Sequence, residues 1–189
     1  MSGARFTEQT LREPLRARLE SRKRHTSPLG LGRASAVLVP LFERDGETHA
    51  WLVRRASGLR DHSGQVAFPG GKRDAADDSL LTTALREAEE EIALARTSVD
   101  VLGALDDCFT ITGFAITPYV GWVKNDAPPL SPDPNEVARV FAAPLGAFLE
   151  EPQGTFPRVG WRIDGELVWG ATAAIIRGLL AVAQELDAR

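Results

Sequence analysis

The chain is poor in cysteine: Cys108 is its single thiol in 189 residues, so no disulfide can form within it. Disulfides belong to oxidising compartments, and their absence makes a reducing cytoplasm the expected location. Long apolar runs are missing as well. The longest stretches, residues 34–42, interrupted by Pro40, and 171–176, fall well short of the ~20 residues that cross a bilayer, and no membrane partner is expected. Residues 1–10 hold neither an apolar segment nor an Arg-rich, acid-free amphipath, so neither a secretory nor an organellar address is read there. Repeats and low-complexity tracts are absent too. With 43% hydrophobic and 25% charged residues, the composition excludes disordered, collagen-like and disulfide-scaffold classes, and the length suffices for one domain with a real core.

Positive charge is scarce over most of the sequence. Residues 1–35 hold eight Arg or Lys against three Glu, whereas residues 36–189 hold fourteen against twenty-three Asp or Glu. An acidic body disfavours nucleic acid as a partner, which needs a basic face, and suits a cation-binding pocket. The basic stretch 12–24 offers a phosphate-contacting arm. Leu11, Leu15 and Leu19 recur there at helical spacing, however, and favour a short amphipathic helix laid on the body. We therefore expect residues 1–189 to form a single domain, with 1–34 as a basic N-terminal helical extension.

Residues 36–42 read as a buried strand, Asp45-Gly46 as a hairpin turn, and 49–53 as the returning strand. Residues 54–71 read as a long loop in which only 65–68 can form a short strand. Residues 79–92 have the marks of a helix: Ser79 as N-cap, no Gly or Pro, and Leu81, Leu85, Ala88 and Ile92 on one stripe. Strands are expected at 99–105, 115–123, 137–141, 161–163 and 167–169, a Pro-rich loop at 125–135, a short helical turn at 145–149, and a closing helix at 171–186. This order suggests an α/β fold with a mixed sheet covered by helices on both faces.

The central helix carries the chemistry. Arg86-Glu87-Ala88-Glu89-Glu90-Glu91 places Glu87, Glu90 and Glu91 at i, i+3 and i+4, on one face bordering the apolar stripe. Like charges so placed repel, and more strongly where apolar neighbours lower the dielectric. Arg86 reaches Glu90 one turn on, and a hard divalent cation held by carboxylate oxygens and water would satisfy the rest. A solvated acidic helix face has the same pattern. Upstream, the adjacent glycines Gly70 and Gly71 allow the backbone to approach a ligand or metal closely. A glycine turn presenting a carbonyl, followed by a helix presenting three carboxylates, suits an all-oxygen cage for Mg²⁺, the kind that serves phosphate chemistry.

Residues 71–94 resemble a Nudix box: a glycine, an acidic residue, then Arg-Glu-apolar-x-Glu-Glu-x-Gly-apolar. The core Arg86 to Glu91 fits fully. Two departures stand out: Ala93 replaces the usual glycine, and the spacing from Gly71 to Arg86 is one residue longer, with Asp77 or Asp78 where a glutamate is usual. Just upstream, residues 55–71, from Arg55 through Arg60 and Gly64 to Phe68-Pro69-Gly70-Gly71, are similar to the signature of coenzyme A-type Nudix hydrolases, although the usual Leu-Leu-Thr ahead of it is Trp51-Leu52-Val53. Residues 112–118, Glu136-Val137 and 169–173 are also similar to segments of that subfamily.

The resemblance implies a Nudix-type α/β/α sandwich and hydrolysis of the diphosphate of coenzyme A or an acyl derivative, giving adenosine 3′,5′-bisphosphate and 4′-phosphopantetheine or its acyl form. By motif match it implies Mg²⁺ or Mn²⁺ held by Glu87 and Glu91, joined by Glu90 and the Gly71 carbonyl. One of these glutamates, or Glu136, orients or deprotonates the water. Gly70 lies beside the substrate, and Arg55 and Arg60 suit its 3′-phosphate because guanidinium groups grip phosphate oxygens in pairs. Either arginine has an alternative use in an internal ion pair with Asp61 or a loop carbonyl. Two other readings stay open: a Nudix hydrolase of another diphosphate, such as ADP-ribose or a nucleotide sugar, and a non-catalytic Nudix-fold module that binds nucleotide or nucleic acid. His62 and Cys108 are expected as packing residues, Cys108 buried. The tryptophans Trp51, Trp122, Trp161 and Trp169 are expected in the core, and a homodimer is compatible with the sequence.

Overall fold

Asp45 and Gly46 turn the chain between two long strands, β1 (Arg33–Arg44) and β2 (Glu47–Arg55). Both turn residues have positive φ, 53° and 73°, the geometry that Asp-Gly hairpins favour. The structure, a computed structural model, describes residues 6–27, 32–57 and 64–187. Arg60, Asp61 and His62 lie outside the described residues.

β1 alternates its side chains between two apolar layers. Ala36 and Leu38 meet Ala84, Ala88 and Ile92 of helix α2 (Leu80–Ile92). Val39 and Leu41 belong to the other layer, with Leu11, Leu15 and Leu19 of α1 (Glu8–Ser21) and Ile176 and Leu179 of α3 (Gly170–Asp187). The sheet therefore lies between α2 on one face and α1 with α3 on the other. It is mixed: β7 (Phe114–Val123) runs parallel to β1 from Arg33 opposite Phe114 to Leu41 opposite Trp122. Antiparallel pairing adds β5 (Val99–Ala104) and β6 (Cys108–Phe109) to β7, and β3 (Val66–Ala67) and β8 (Val137–Pro144) to β2. The expected α/β sandwich is the observed one. A separate hairpin, β9 (Gly160–Ile163) and β10 (Glu166–Trp169), leads into α3.

Two short strands fall where the sequence reads as loop. β6 is one; β4 (Gly70–Lys72) is the other, pairing with the first half of β1 while β2 pairs with its second half. The register Ala36–Gly71 and Val37–Gly70 is set by β1 and not by any β-preference of glycine. Bare backbone is required there, since a Cβ on Gly70 would lie 2.4 Å from the Ala36 carbonyl oxygen.

The basic N-terminal segment forms the expected helix, capped by Thr7, and the arginines of the 12–24 stretch are committed to the body. Arg12 and Arg16 both reach Asp100, at 2.7 and 2.6 Å; Arg22 reaches Asp106 at 2.7 Å, Arg24 reaches Asp107 at 3.0 Å, and Arg18 pairs with Glu185. Cys108 is half-buried, where the sequence reading has it buried, because its short strand lies on the sheet rim. Trp122 and Trp161 are buried, whereas Trp51 and Trp169 are half-buried, Trp51 stacked on Phe42 at 4.5 Å. No helix among the described residues is long and apolar enough to cross a membrane.

Candidate active site

α2 begins at Ser79, whose side chain accepts from the Thr82 N–H at 3.1 Å. It ends at Ala93 in the left-handed conformation, φ 56° and ψ 29°, with the Ala93 N–H closing onto the last turn. Glycine suits this position because L-residues with a Cβ are strained there, which is why the motif's usual glycine falls here and why Ala93 is a strained replacement. The buried face of α2 comprises Thr83, Ala84, Ala88, Glu91 and Ile92. A glutamate on an apolar face is the anomaly that marks the site.

The three glutamates lie at graded depth. Glu90 is exposed, Glu87 partly covered, and Glu91 only 1% exposed. Glu91 accepts from Arg55 Nη1 at 2.9 Å through Oε1 and from the Gly70 N–H at 3.0 Å through Oε2. Burial pushes its carboxyl up to about 7, opposed by Arg55 and the Gly70 N–H and reinforced by Glu87 and Glu136. The Glu87 carboxylate rests against Gly71, where a Cβ would lie 2.4 Å from Glu87 Cδ. Its own carboxyl is also raised, by burial first, with the neighbouring Arg86 pulling the other way.

Arg86 ties the outer part together. Its Nη1 lies 3.0 Å from Glu87 and 2.8 Å from Glu90, while Nε and Nη2 grip the two oxygens of Asp77 at 3.0 Å each. Asp77, almost wholly buried, also accepts from Thr83 Oγ1 at 2.8 Å and from the Asp74 N–H at 2.9 Å. Arg86 holds the Asp77 carboxyl well below the usual carboxylate range, with the Asp74 N–H adding to the effect. Sequence reasoning noted Asp77 only as a stand-in for a glutamate and assigned it no role. Its signal was its place ahead of Ser79 and Thr83, where an acid can both meet the helix start and reach Arg86.

The Pro-rich loop before β8 closes the far end of α2. Ser131 N–H donates to Ile92 O and Asp133 N–H to Glu91 O, both at 3.0 Å, satisfying carbonyls that a helix end leaves open. The Ala56 N–H donates to Glu136 O at 2.8 Å, which brings Glu136 beside the end of β2. Glu136 is half-buried and raises the carboxyls of both Glu87 and Glu91. The structure thus brings together Glu87, Glu90, Glu91, Glu136, Gly70, Gly71 and Arg55. Arg55 pairs with Glu91, a partner the sequence did not suggest, while Asp61 lies outside the described residues.

Among the described residues, no three acidic, imidazole or thiol side chains already converge on a single point; Arg86 stands between Glu87 and Glu90. The donor set nevertheless fits a hard cation. It is all oxygen, its carboxylates outnumber the guanidinium groups they share, and bare backbone at Gly71 abuts Glu87.

The profile of the NUDIX domain family matches residues 32–159. Two proteins described as uncharacterized Nudix hydrolase NudL, from Cronobacter sakazakii (strain ATCC BAA-894) and Yersinia pestis (strain Pestoides F), are each 44% identical over 158 residues. The alignments cover 78% of this chain and 81% and 78% of those proteins. Among solved structures, the Nudix hydrolase RenU from M. smegmatis matches with a TM-score of 0.60 at 18% identity, over 81% of this chain and 86% of that one. A C. elegans Ap4A hydrolase in a binary complex matches with a TM-score of 0.58 at 13% identity, over 81% and 98%. At such identities the structural likeness is one of fold.

Proposed function

The chain belongs to the Nudix hydrolase family, and from that premise we propose that it hydrolyses the diphosphate of coenzyme A or an acyl derivative, releasing adenosine 3′,5′-bisphosphate and 4′-phosphopantetheine or its acyl form. The observation that carries this reading is that both ends of the coenzyme A-type signature, Arg55 and Gly70, meet on Glu91 of the Nudix helix. These two contacts support reading the signature as part of the site.

Glu87, Glu90, Glu91 and the Gly71 carbonyl would hold Mg²⁺ or Mn²⁺. A cation held there would neutralise diphosphate charge and lower the pKa of the attacking water. The chain supplies the rest. The bare backbone of Gly70 and Gly71 lets the diphosphate approach the helix closely. Glu136, outside the Nudix helix, takes the water proton as the new bond to phosphorus forms and the anhydride oxygen leaves with the other phosphate. Asp77 holds Arg86 in a two-pronged grip, which keeps the guanidinium between Glu87 and Glu90. Arg60 is the proposed contact for the 3′-phosphate.

The test is product analysis after incubation with coenzyme A and Mg²⁺ or Mn²⁺. Metal-dependent release of adenosine 3′,5′-bisphosphate, lost in Glu90→Gln and Glu91→Gln, is the expected result. Turnover of ADP-ribose or a nucleotide sugar in place of coenzyme A would move the reading to another diphosphate.

A further inference from the structure

We infer that Arg55 is a positioning residue of the cation site: it holds Glu91 in place for the cation and does not grip substrate phosphate. The inference rests on the reading of Glu91 as a metal ligand, and three observations carry it.

Glu91 is buried, and among the described residues each of its oxygens receives one donor from a different strand, Arg55 Nη1 from β2 at 2.9 Å and the Gly70 N–H from β4 at 3.0 Å. A carboxylate oxygen has two acceptor sites, so each keeps a second one while the plane of the group is fixed. Arg55 itself is anchored through its backbone. Its N–H donates to Gln65 O at 3.0 Å, its carbonyl accepts from the Gly64 N–H at 3.2 Å, and it stands opposite Val137 across a bulge between Arg54 and Arg55. Bulges of this kind re-aim a side chain and recur beside active sites. Finally, α2 has no cation of its own to give Glu91, because Arg86 is committed to Asp77, Glu87 and Glu90. The partner must come from elsewhere in the fold, and β2 supplies it.

Groups that orient a metal ligand typically cost about 10–100-fold in metal affinity when removed. The experiment is Mn²⁺ binding to the full chain without substrate, followed by the paramagnetic resonance of free Mn²⁺, for the native protein, Arg55→Met, Arg55→Lys, Glu91→Gln and the Arg55→Met/Glu91→Gln pair. Arg55→Met should weaken Mn²⁺ binding about tenfold or more, Arg55→Lys should recover part of the loss, and Arg55→Met should add nothing once Glu91 is already Gln. With coenzyme A at saturating Mn²⁺, kcat should fall in Arg55→Met while KM moves alike for coenzyme A and its 3′-dephospho analogue. Unchanged or tighter Mn²⁺ binding overturns the inference, and if KM then rises for coenzyme A alone, Arg55 is a phosphate contact. Should Arg55→Met melt out at assay temperature, Arg55→Lys and Arg55→Gln carry the same comparison. Failure of the native protein to turn over coenzyme A leaves the Mn²⁺ comparison intact, so a wrong substrate and a wrong role for Arg55 give different results. Failure of the native protein to bind Mn²⁺ overturns the cation reading and this inference together.

Discussion

Helices α1 and α2 both set a charged row beside an apolar stripe, and both rows reach opposite charges on other elements, α1 at Asp100 and Glu185 and α2 through Glu91 at Arg55. On α1 the roles are divided: Leu11, Leu15 and Leu19 are buried, and Arg12, Arg16 and Arg18 pair with carboxylates at the partly exposed rim. Burying each leucine is worth about 1.5–3 kcal/mol, and each exposed pair at most about 1 kcal/mol, so the leucines dock the helix and the arginines only trim its placement. On α2 the division fails. Glu91 stands among the buried residues, and Glu87, Glu90 and Glu91 share Arg55 and Arg86, the latter also committed to Asp77, while Glu136 adds negative charge near Glu87 and Glu91. Matched charges at a rim signal docking, whereas surplus negative charge brought under cover signals a place for a cation.

That contrast can be broken. Glu91→Gln should lower metal-dependent turnover on the order of 10²-fold or more with the fold retained by circular dichroism, and turnover unaffected by this change would place the chemistry elsewhere. On α1 the matching deletion is structural: Leu15→Ala should cost about 2–5 kcal/mol in urea unfolding and leave kcat of the surviving folded protein alone.

Acidity sharpens the same contrast. The Glu91 carboxyl titrates at about 7 when folded, against an ordinary value of 4.5, so the folded chain binds the extra proton between those limits. Its contribution to stability is complete below about pH 4.5 and is lost as the pH rises through 7, on the order of 3 kcal/mol without divalent metal. Melting curves across that window should flatten in Glu91→Gln. Asp77 has the opposite sign. Its lowered carboxyl stabilises the fold above the ordinary carboxylate range, and that stability is lost as the pH falls below it.

Smaller effects complete the series. Ala93→Gly should raise stability by about 1 kcal/mol by relieving the left-handed residue at the end of α2; a lower melting temperature would contradict that source of strain. Arg12→Gln, which removes one of the two guanidinium groups on Asp100, should cost under about 1 kcal/mol and leave turnover unchanged.

Much of this was legible in the residues. The hairpin at Asp45-Gly46, the Ser79 cap, the leucine stripe of α1 and the helical spacing of Glu87, Glu90 and Glu91 all rest on local rules, and the structure shows each of them. The strands β4 and β6 were not legible. Gly70–Lys72 and Cys108–Phe109 have little strand character of their own and take their conformation from β1 and β7. Nor did the half-burial of Cys108 show in its residue type, because it depends on where the rim of the sheet falls.

By itself the sequence determined the order of the longer elements, the charge of the central helix and the family resemblance, because these depend on residue type and on separations of two, three or four along a strand or helix. Only the tertiary structure decided that Glu91 and not Glu90 is buried, that Arg55, 36 positions away, is its counter-charge, and that Asp77 clamps Arg86. The pitch of a helix places a residue beside its neighbours one turn away, but which residue of another strand meets it depends on the register of a sheet assembled from distant parts of the chain.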